Sequence, residues 1–165
     1  MEHVSIDEVE PTALGSDVDR RGLSDPLDTD DVAINYYSLD PGERLTDGLH
    51  AHMDQEEVFV VVSGEATFHT PDDEVTVGEE EAIRFAPGEF QSGGNEADEE
   101  LVVVALGAPR GSEDVRVPAA CPECGEESVR LVPTDEGEGF DYLCPECGDS
   151  GGVDTLENDL GGIGP

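Results

Sequence analysis

The sequence predicts an all-β protein, a small barrel or jelly roll followed by a compact metal-binding module. Short runs of β-branched and aromatic residues recur from residue 32 onward, separated by turn signals. Between these runs the sequence lacks the 3.6-residue apolar period of an amphipathic helix. Two Cys-Pro-Glu-Cys-Gly segments follow nearer the C-terminus. A chain of 165 residues has room for one ordinary domain and one small module that a metal would hold together.

The strands of the barrel are predicted within residues 31–110. The first strand, residues 32–39, ends at the turn Asp40-Pro41-Gly42. The run from Val58 to Val62 is continuously apolar, which predicts a strand with both faces covered. Further strands are expected at residues 65–70, 74–77, 83–85 and 101–106, the first two forming a hairpin.

The segments outside the barrel lack a sustained apolar period. Residues 1–30 predict a partly ordered N-terminal arm, which would lie across the barrel or pair with a neighbouring subunit. A linker beginning at Gly111 leads to the cysteine module, residues 119–149. Residues 150–165 are rich in Gly and Asp and predict a flexible tail, because they offer little apolar surface to bury.

The charge of the chain restricts its environment and its partners. There are 42 acidic residues against 7 basic ones, all arginine, for a formal net charge of -35. Self-repulsion of this size opposes folding in dilute salt, whereas at molar salt the Debye length is about 3 Å and the repulsion is screened. Since the acidic residues occur in every segment, we expect a protein from the cytosol of a halophile.

This anionic surface also disfavours nucleic acids and membrane surfaces, whose phosphates it repels. The longest apolar runs are too short to span a bilayer, and the N-terminus has no signal-peptide pattern. We therefore expect a cytoplasmic protein whose partner is small, cationic or a protein, with a small-molecule ligand as the first of these.

Three residues in the middle of the chain predict a metal site. His50 and His52 are two apart, so on a strand both imidazoles project from one face and can share an ion. Glu57 follows at an odd offset, but the polar residues 53–56 can turn the chain and bring its carboxylate to the same place. Two imidazoles and one carboxylate suit Fe, Mn, Zn, Ni or Cu. The alternative is a pair of surface histidines on an edge strand. His69 has no partner at such a spacing and is expected outside the site.

The stretch from Gly42 to Gly64 resembles the first motif of the cupin superfamily. The resemblance rests on His50-Ala51-His52, four residues, Glu57, six residues, then Gly64. The count to Gly64 favours Glu57 over its neighbour Glu56. The resemblance covers about residues 33–106 and implies a double-stranded β-helix barrel whose ligands point into a cavity of small-molecule size.

The second cupin motif is similar to the stretch from Gly78 to Asn95. It contains Ala86-Pro87-Gly88 and places Gln91 where the family has its last histidine. The resemblance therefore implies Gln91 as the fourth member of the ligand set. A carboxamide oxygen binds transition metals more weakly than imidazole, so metal occupancy depends on this position.

The four cysteines have the spacing of a zinc ribbon. Cys121 and Cys124 form one C-x2-C pair, Cys144 and Cys147 form the other, and each pair is followed by a glycine. With four protein ligands the zinc has no open position, so its role is structural. The rival interpretation is a redox dithiol or a disulfide, although thiol oxidoreductases use one such pair at a helix start in an α/β fold.

Three classes of function fit these residues. The first is a metal-binding cupin of unassigned substrate, with a metal-dependent dioxygenase or isomerase as its catalytic form. The second is a non-catalytic sensor of a small ligand, and the third is an interaction module. The resemblance further implies a homodimer.

Overall fold

The computed structural model describes residues 1–12, 18–134 and 139–156. These residues form β-strands and two three-residue 3-10 helices, Ile6–Glu8 and Val153–Thr155. No helix among them has the length and apolar character needed to cross a membrane. The strands are β1 (Asp19–Gly22), β2 (Ala33–Leu39), β3 (Ala51–His52), β4 (Glu56–Ser63), β5 (Glu65–His69), β6 (Glu74–Gly78), β7 (Ala82–Phe85), β8 (Ser92–Gly94), β9 (Leu101–Ala108), β10 (Val115–Val117), β11 (Val129–Pro133), β12 (Phe140–Leu143) and β13 (Ser150–Gly152).

Two antiparallel sheets form the barrel and enclose its core. The larger has the order β1-β2-β9-β4-β7, and the smaller has the order β6-β5-β8. One apolar cluster joins them, with Phe59 and Phe85 from the larger sheet packed on Phe68 from the smaller. Because each strand alternates its side chains between two faces, only every second residue enters this cluster. The all-β barrel predicted from the turn signals and short strands is confirmed.

The outer face of β4 differs from the expectation for its apolar run. Phe59 and Val61 are buried, but Val58 and Val60 are only partly buried and Val62 is 51% exposed. The prediction that both faces are covered was wrong. An antiparallel sheet needs to cover only the face that meets the core, and this sheet leaves its other face open within the described residues.

Part of the predicted N-terminal arm belongs to the barrel. β1 pairs with β2 along four residues, from Asp19 opposite Ser38 to Gly22 opposite Asn35. Leu23, immediately after β1, is buried. The sequence placed the start of the barrel at residue 31, and the structure adds an edge strand before it. A polar strand such as Asp-Arg-Arg-Gly is defined by backbone hydrogen bonds to its neighbour, which leave no apolar pattern in the sequence.

A third sheet connects the cysteine module to the barrel. Its order is β13-β12-β11-β10-β3, so the strand carrying His52 is an edge of the sheet that continues into the module. β10 lies in the segment predicted as a linker, where Val115 pairs with His52 and Val117 pairs with Val129. The module and the barrel site thus share one backbone ladder.

The tail also begins later than predicted. β13 pairs with β12, and Leu156 is buried in a second core with Val117, Val129 and Tyr142. Residues 150–156 therefore belong to the module, because a Gly-rich strand can pair through its backbone without apolar side chains. The rest of the predicted tail, residues 157–165, lies outside the described residues.

Gly64 follows β4 and lies at a close backbone approach. Its φ is +81°, and a Cβ at this position would lie 2.5 Å from the carbonyl oxygen of Glu100. A side chain is therefore excluded by both conformation and space. The final glycine of the motif thus lets the chain turn from β4 into β5 beside the start of β9.

Candidate metal and ligand site

His50 and His52 enter the site from a short edge segment. His50 forms an isolated bridge with Gln91, in which each backbone N–H donates to the other residue's carbonyl, at 3.0 Å and 2.9 Å. His52 ends β3, where it pairs with Val115. The two imidazole rings meet edge to face with their centroids 5.3 Å apart. The spacing of two residues thus places both rings on one side of the segment, as strand geometry requires.

The chain bends at Met53 and Asp54 before β4 begins at Glu56. This bend allows Glu57 to face the histidines: its Oε1 lies 3.6 Å from Nε2 of His52. Ligand atoms of His50, His52 and Glu57 all lie within 4.8 Å of one another. The neighbouring Glu56 points elsewhere: its Oε2 accepts a hydrogen bond of 2.7 Å from Nε of Arg84 on β7. The two adjacent carboxylates therefore have separate partners.

Gln91 completes the cluster. Its side chain is 2% exposed, and its Nε2 donates to Oε2 of Glu57 at 3.0 Å and lies 3.4 Å from Nε2 of His50. Rotation of the carboxamide by 180° exchanges its oxygen and nitrogen, which have nearly the same shape. The four residues named by the two motifs are therefore brought to one place.

The surroundings of the two imidazole rings suit metal binding. Nδ1 of His50 is 3.2 Å from the carbonyl oxygen of Gly48, to which it can donate, and this tautomer leaves Nε2 as a free lone pair. Burial lowers the pKa of His50, although the charge of Glu57 opposes the shift. Nδ1 of His52 is buried without a hydrogen-bond partner among the described residues. Two imidazoles and a carboxylate form a donor set that fits a divalent transition metal.

The cluster lies in the wall of a cavity of about 460 Å³, which is within the size range of small-molecule sites. The wall also contains residues that the sequence reading did not find: Arg20, Asn35, Tyr37, Gln55 and Arg110. Burial raises the pKa of Tyr37; the positive charge of Arg20 opposes this and the negative charge of Glu57 adds to it. The alternation of side chains along β2 could have placed Tyr37 on the inner face, whereas nothing in the polar N-terminal segment indicated that Arg20 lines the cavity.

The cysteine module also reaches this cavity. Phe140 at the start of β12 is 51% exposed and lines the cavity together with Val115 of β10. The cavity is therefore bounded by both parts of the chain.

The four cysteines converge at the far end of the module. Sγ of Cys121 lies 3.7 Å from Sγ of Cys147, and Sγ of Cys124 lies 3.6 Å from Sγ of Cys144. All four are free thiols. A tetrahedral zinc with Zn–S bonds of about 2.3 Å requires sulfurs about 3.8 Å apart, so these distances fit one ion.

The same backbone turn follows each of the two cysteine pairs. Gly125 and Gly148 both have φ of +78°, and their N–H groups donate to the carbonyl oxygens of Cys121 and Cys144. A backbone hydrogen bond from Cys147 is the main cause that lowers the pKa of the Cys144 thiol, to about 7. Thiolates are the form that binds zinc.

A third group of possible ligand residues lies on the surface. His69 contacts Glu96 at 2.8 Å and Glu74 at 3.6 Å. The structure therefore places His69 away from the barrel site, in a surface cluster with two exposed carboxylates of the kind that occurs without metal.

Comparisons with known proteins agree with this architecture. Residues 35–107 match the family described as "Cupin domain". No curated protein is significantly similar to the chain. Among solved structures, a conserved protein with a double-stranded β-helix domain from Klebsiella pneumoniae is 22% identical over 67% of this chain and 92% of its own, with a TM-score of 0.55.

Two further structures carry functional names. A predicted oxalate decarboxylase from Thermotoga maritima is 22% identical over 65% of this chain and 98% of its own, with a TM-score of 0.57. A sugar phosphate isomerase of the cupin superfamily from Silicibacter pomeroyi is 16% identical over 93% of this chain and 94% of its own, with a TM-score of 0.59. At these identities the likeness establishes the fold. The family match over residues 35–107 and the likeness to these solved structures agree on a double-stranded β-helix fold for this part of the chain.

Proposed function

We propose that this protein is a metal-binding cupin that takes up a small molecule in its barrel, with a structural zinc ribbon at its C-terminal side. The observation that carries the proposal is the convergence of His50, His52 and Glu57 within 4.8 Å in the wall of a cavity. Gln91 is the fourth residue of the proposed set. A metal bound there supplies a Lewis acid or a redox centre at the edge of the cavity.

A metal-dependent enzyme of the dioxygenase or isomerase type is the second candidate. Tyr37 favours it, because a buried phenol in the cavity wall beside Glu57 can hold or donate a proton to a bound molecule. Two structural neighbours are named as a sugar phosphate isomerase and a predicted oxalate decarboxylase, but the fold itself supports many chemistries. A non-catalytic sensor remains the third candidate, distinguished by ligand binding without turnover.

The cysteine module is proposed to bind one structural zinc ion. Among the described residues its core comprises seven buried members, too few to fold without a further constraint. It offers Arg130 against nine acidic residues from Cys121 through Asp149, so a role in nucleic-acid binding is disfavoured.

Two further proposals concern the cellular environment and the oligomeric state of the protein. The charge of -35 supports a halophilic, cytoplasmic protein that folds in concentrated salt. The partly buried Val58 and Val60, together with exposed Val62, give the outer face of β4 an apolar strip that supports a homodimer.

Metal analysis of protein purified in high salt tests the proposed function. We expect two metal ions per chain in the wild type, and one in a variant carrying His50→Ala and His52→Ala. His69→Ala is the matched control, because His69 binds surface carboxylates, and it should retain both ions. A single zinc ion in all three proteins would refute the barrel site and leave only the ribbon.

The role of Gln91 gives a second prediction. Gln91→His is expected to raise the affinity of the barrel for its metal about tenfold, because imidazole is a stronger ligand for these ions than a carboxamide. Gln91→Leu is expected to lower it about tenfold. Competition with a chelating dye measures both changes. Equal affinity of the Leu variant and the wild type would mean that Gln91 serves Glu57 as a hydrogen-bond donor and does not bind the metal.

A further inference from the structure

The cavity differs in charge from the rest of the protein. Acidic residues outnumber basic ones by 42 to 7 in the chain, yet two arginines, Arg20 and Arg110, line the cavity. Glu57 is the one carboxylate among the described residues of its wall. A divalent metal held by His50, His52 and Glu57 would more than neutralise that carboxylate. With that metal bound, the interior would be positive within a strongly negative molecule, an arrangement that favours an anionic occupant.

Most arginines of the chain already have a carboxylate partner. Within the described residues, five of the seven form ion pairs, including Arg110 with Asp25 and Arg21 with Asp19. Arg20 and Arg130 are the two without such a pair in this part of the chain, and of these Arg20 faces the cavity. Its guanidinium is thus the available positive group of the wall.

The surroundings of Arg20 hold it in place without neutralising it. Its Nη2 donates to Oδ1 of Asn35 at 3.2 Å, and its Cζ lies 5.7 Å from the centroid of the Tyr37 ring. Its Nε is buried without a hydrogen-bond partner among the described residues. A buried N–H with no acceptor is costly unless another group accepts its hydrogen bond. Both a carboxylate and a phosphate group present two oxygens that suit the guanidinium fork.

The pairing of β1 with β2 explains why Arg20 points inward. Arg20 lies opposite Tyr37, and both line the cavity, whereas Arg21 lies opposite Tyr36 on the other face. Arg21 binds Asp19 through two hydrogen bonds of 2.8 Å. Adjacent arginines on one strand are thus divided between a ligand cavity and a surface ion pair, which makes them a natural test pair.

We infer that the barrel binds a small organic oxyanion, a carboxylate or a phosphate ester, with its anionic group on Arg20 and its remainder toward His50 and His52. This inference names the ligand class of the proposed function and rests on it for the assignment of the cavity as a binding site. Tyr37 contributes a neutral phenol to the same wall, and Asn35 keeps the guanidinium oriented.

Calorimetric titration with charged and neutral probes tests the inference. The probes are succinate with succinamide, and glycerol 3-phosphate with glycerol, each titrated into full-length protein of measured metal content. We expect one of the two anions to bind the wild type and its neutral analogue to give no heat. Arg20→Gln should weaken that anion about tenfold to a hundredfold, as expected for the loss of a charge-assisted hydrogen bond. Arg21→Gln should bind as the wild type does, and Arg20→Lys should retain part of the affinity.

The two anionic probes identify which anionic group the site prefers. Preference for succinate assigns a carboxylate, and preference for glycerol 3-phosphate assigns a phosphate ester. Absence of binding by both anions, equal binding of a neutral analogue, or equal weakening by Arg20→Gln and Arg21→Gln would each overturn the inference. Thermal melting of each variant separates loss of binding from loss of fold.

The outcomes also separate this inference from the proposed function. If metal analysis finds an empty barrel but an anion still binds through Arg20, the proposed metal site fails and the anion site stands. If the barrel holds its metal but no anion depends on Arg20, the anion site fails and the metal-binding function stands.

Discussion

Replacing Cys144 and Cys147 with serine is expected to unfold the C-terminal module and remove one zinc ion per chain. Binding of a structural zinc supplies on the order of 10 kcal/mol to modules of this size, and serine does not replace a thiolate ligand. In the part of the chain that the structure describes, the second core has seven buried residues, two of them cysteines, so it contributes little to holding β11, β12 and β13 together. Hydrogen exchange of these strands, with elemental analysis of zinc, measures the effect.

The same variant should weaken the barrel site indirectly. β10 pairs with β11 on one side and with β3 on the other, so loss of the module removes part of the support of the strand that carries His52. Residues that orient a metal ligand change affinity by about 10- to 100-fold when they are lost, and we expect the lower end of that range here.

A variant carrying Glu123→Gln and Glu146→Gln is the matched control for the cysteine change. Both glutamates are exposed and lie between the cysteines of the two pairs, so the control alters charge in the same loops and keeps all four sulfurs. It should retain its zinc and its slow hydrogen exchange. A cysteine variant with no zinc but unchanged protection of β11–β13 would contradict the structural role of the ion.

Phe68→Ala is expected to lower the free energy of unfolding of the barrel by about 3–5 kcal/mol. Phe68 is fully buried, and its ring centroid lies 5.0 Å from that of Phe59 and 5.6 Å from that of Phe85. Its ring also packs on Gly93, where an added Cβ would lie 2.6 Å from the Phe68 ring. Because glycine has no side chain, it cannot fill the space that the deleted ring would leave. Urea unfolding at constant high salt, followed by circular dichroism, measures the loss.

Phe140→Ala provides the comparison for this change, since the same atoms are removed from a residue that is 51% exposed. Its effect should stay within about 0.5 kcal/mol. If Phe68→Ala and Phe140→Ala had equal effects on unfolding, the aromatic cluster would not be the centre of the barrel core.

The strands differ in how far the sequence could predict them. β2, β4, β5, β6, β7 and β9 contain apolar and β-branched residues and were predicted to within a few residues. β8 and β13 both read Ser-Gly-Gly, a pattern typical of a turn. They are strands because β5 and β12 supply hydrogen-bond partners, and such pairing joins residues far apart in the chain.

The candidate site also combines residues that the local sequence indicates with residues that only distant pairing places there. His50, His52 and Glu57 were visible as a short-range spacing, whereas Gln91 was implied by the resemblance to the second cupin motif. Arg20 was not visible, because its position beside Tyr37 depends on the register of β1 against β2. Register depends on which residues face each other across a sheet, and a polar strand does not encode that choice in its own pattern.

By itself, the sequence determined the strand pattern of the barrel, the two sets of candidate metal ligands and the acidic surface. These are properties of residue type and short-range spacing, which backbone geometry converts directly into a shared strand face or a cysteine turn. Only the tertiary structure decided that β10 joins the cysteine module to the strand of His52, and that Arg20 and Phe140 meet the barrel cavity. Those contacts arise because closing the sheets brings distant segments together, and no local pattern specifies which segments will meet.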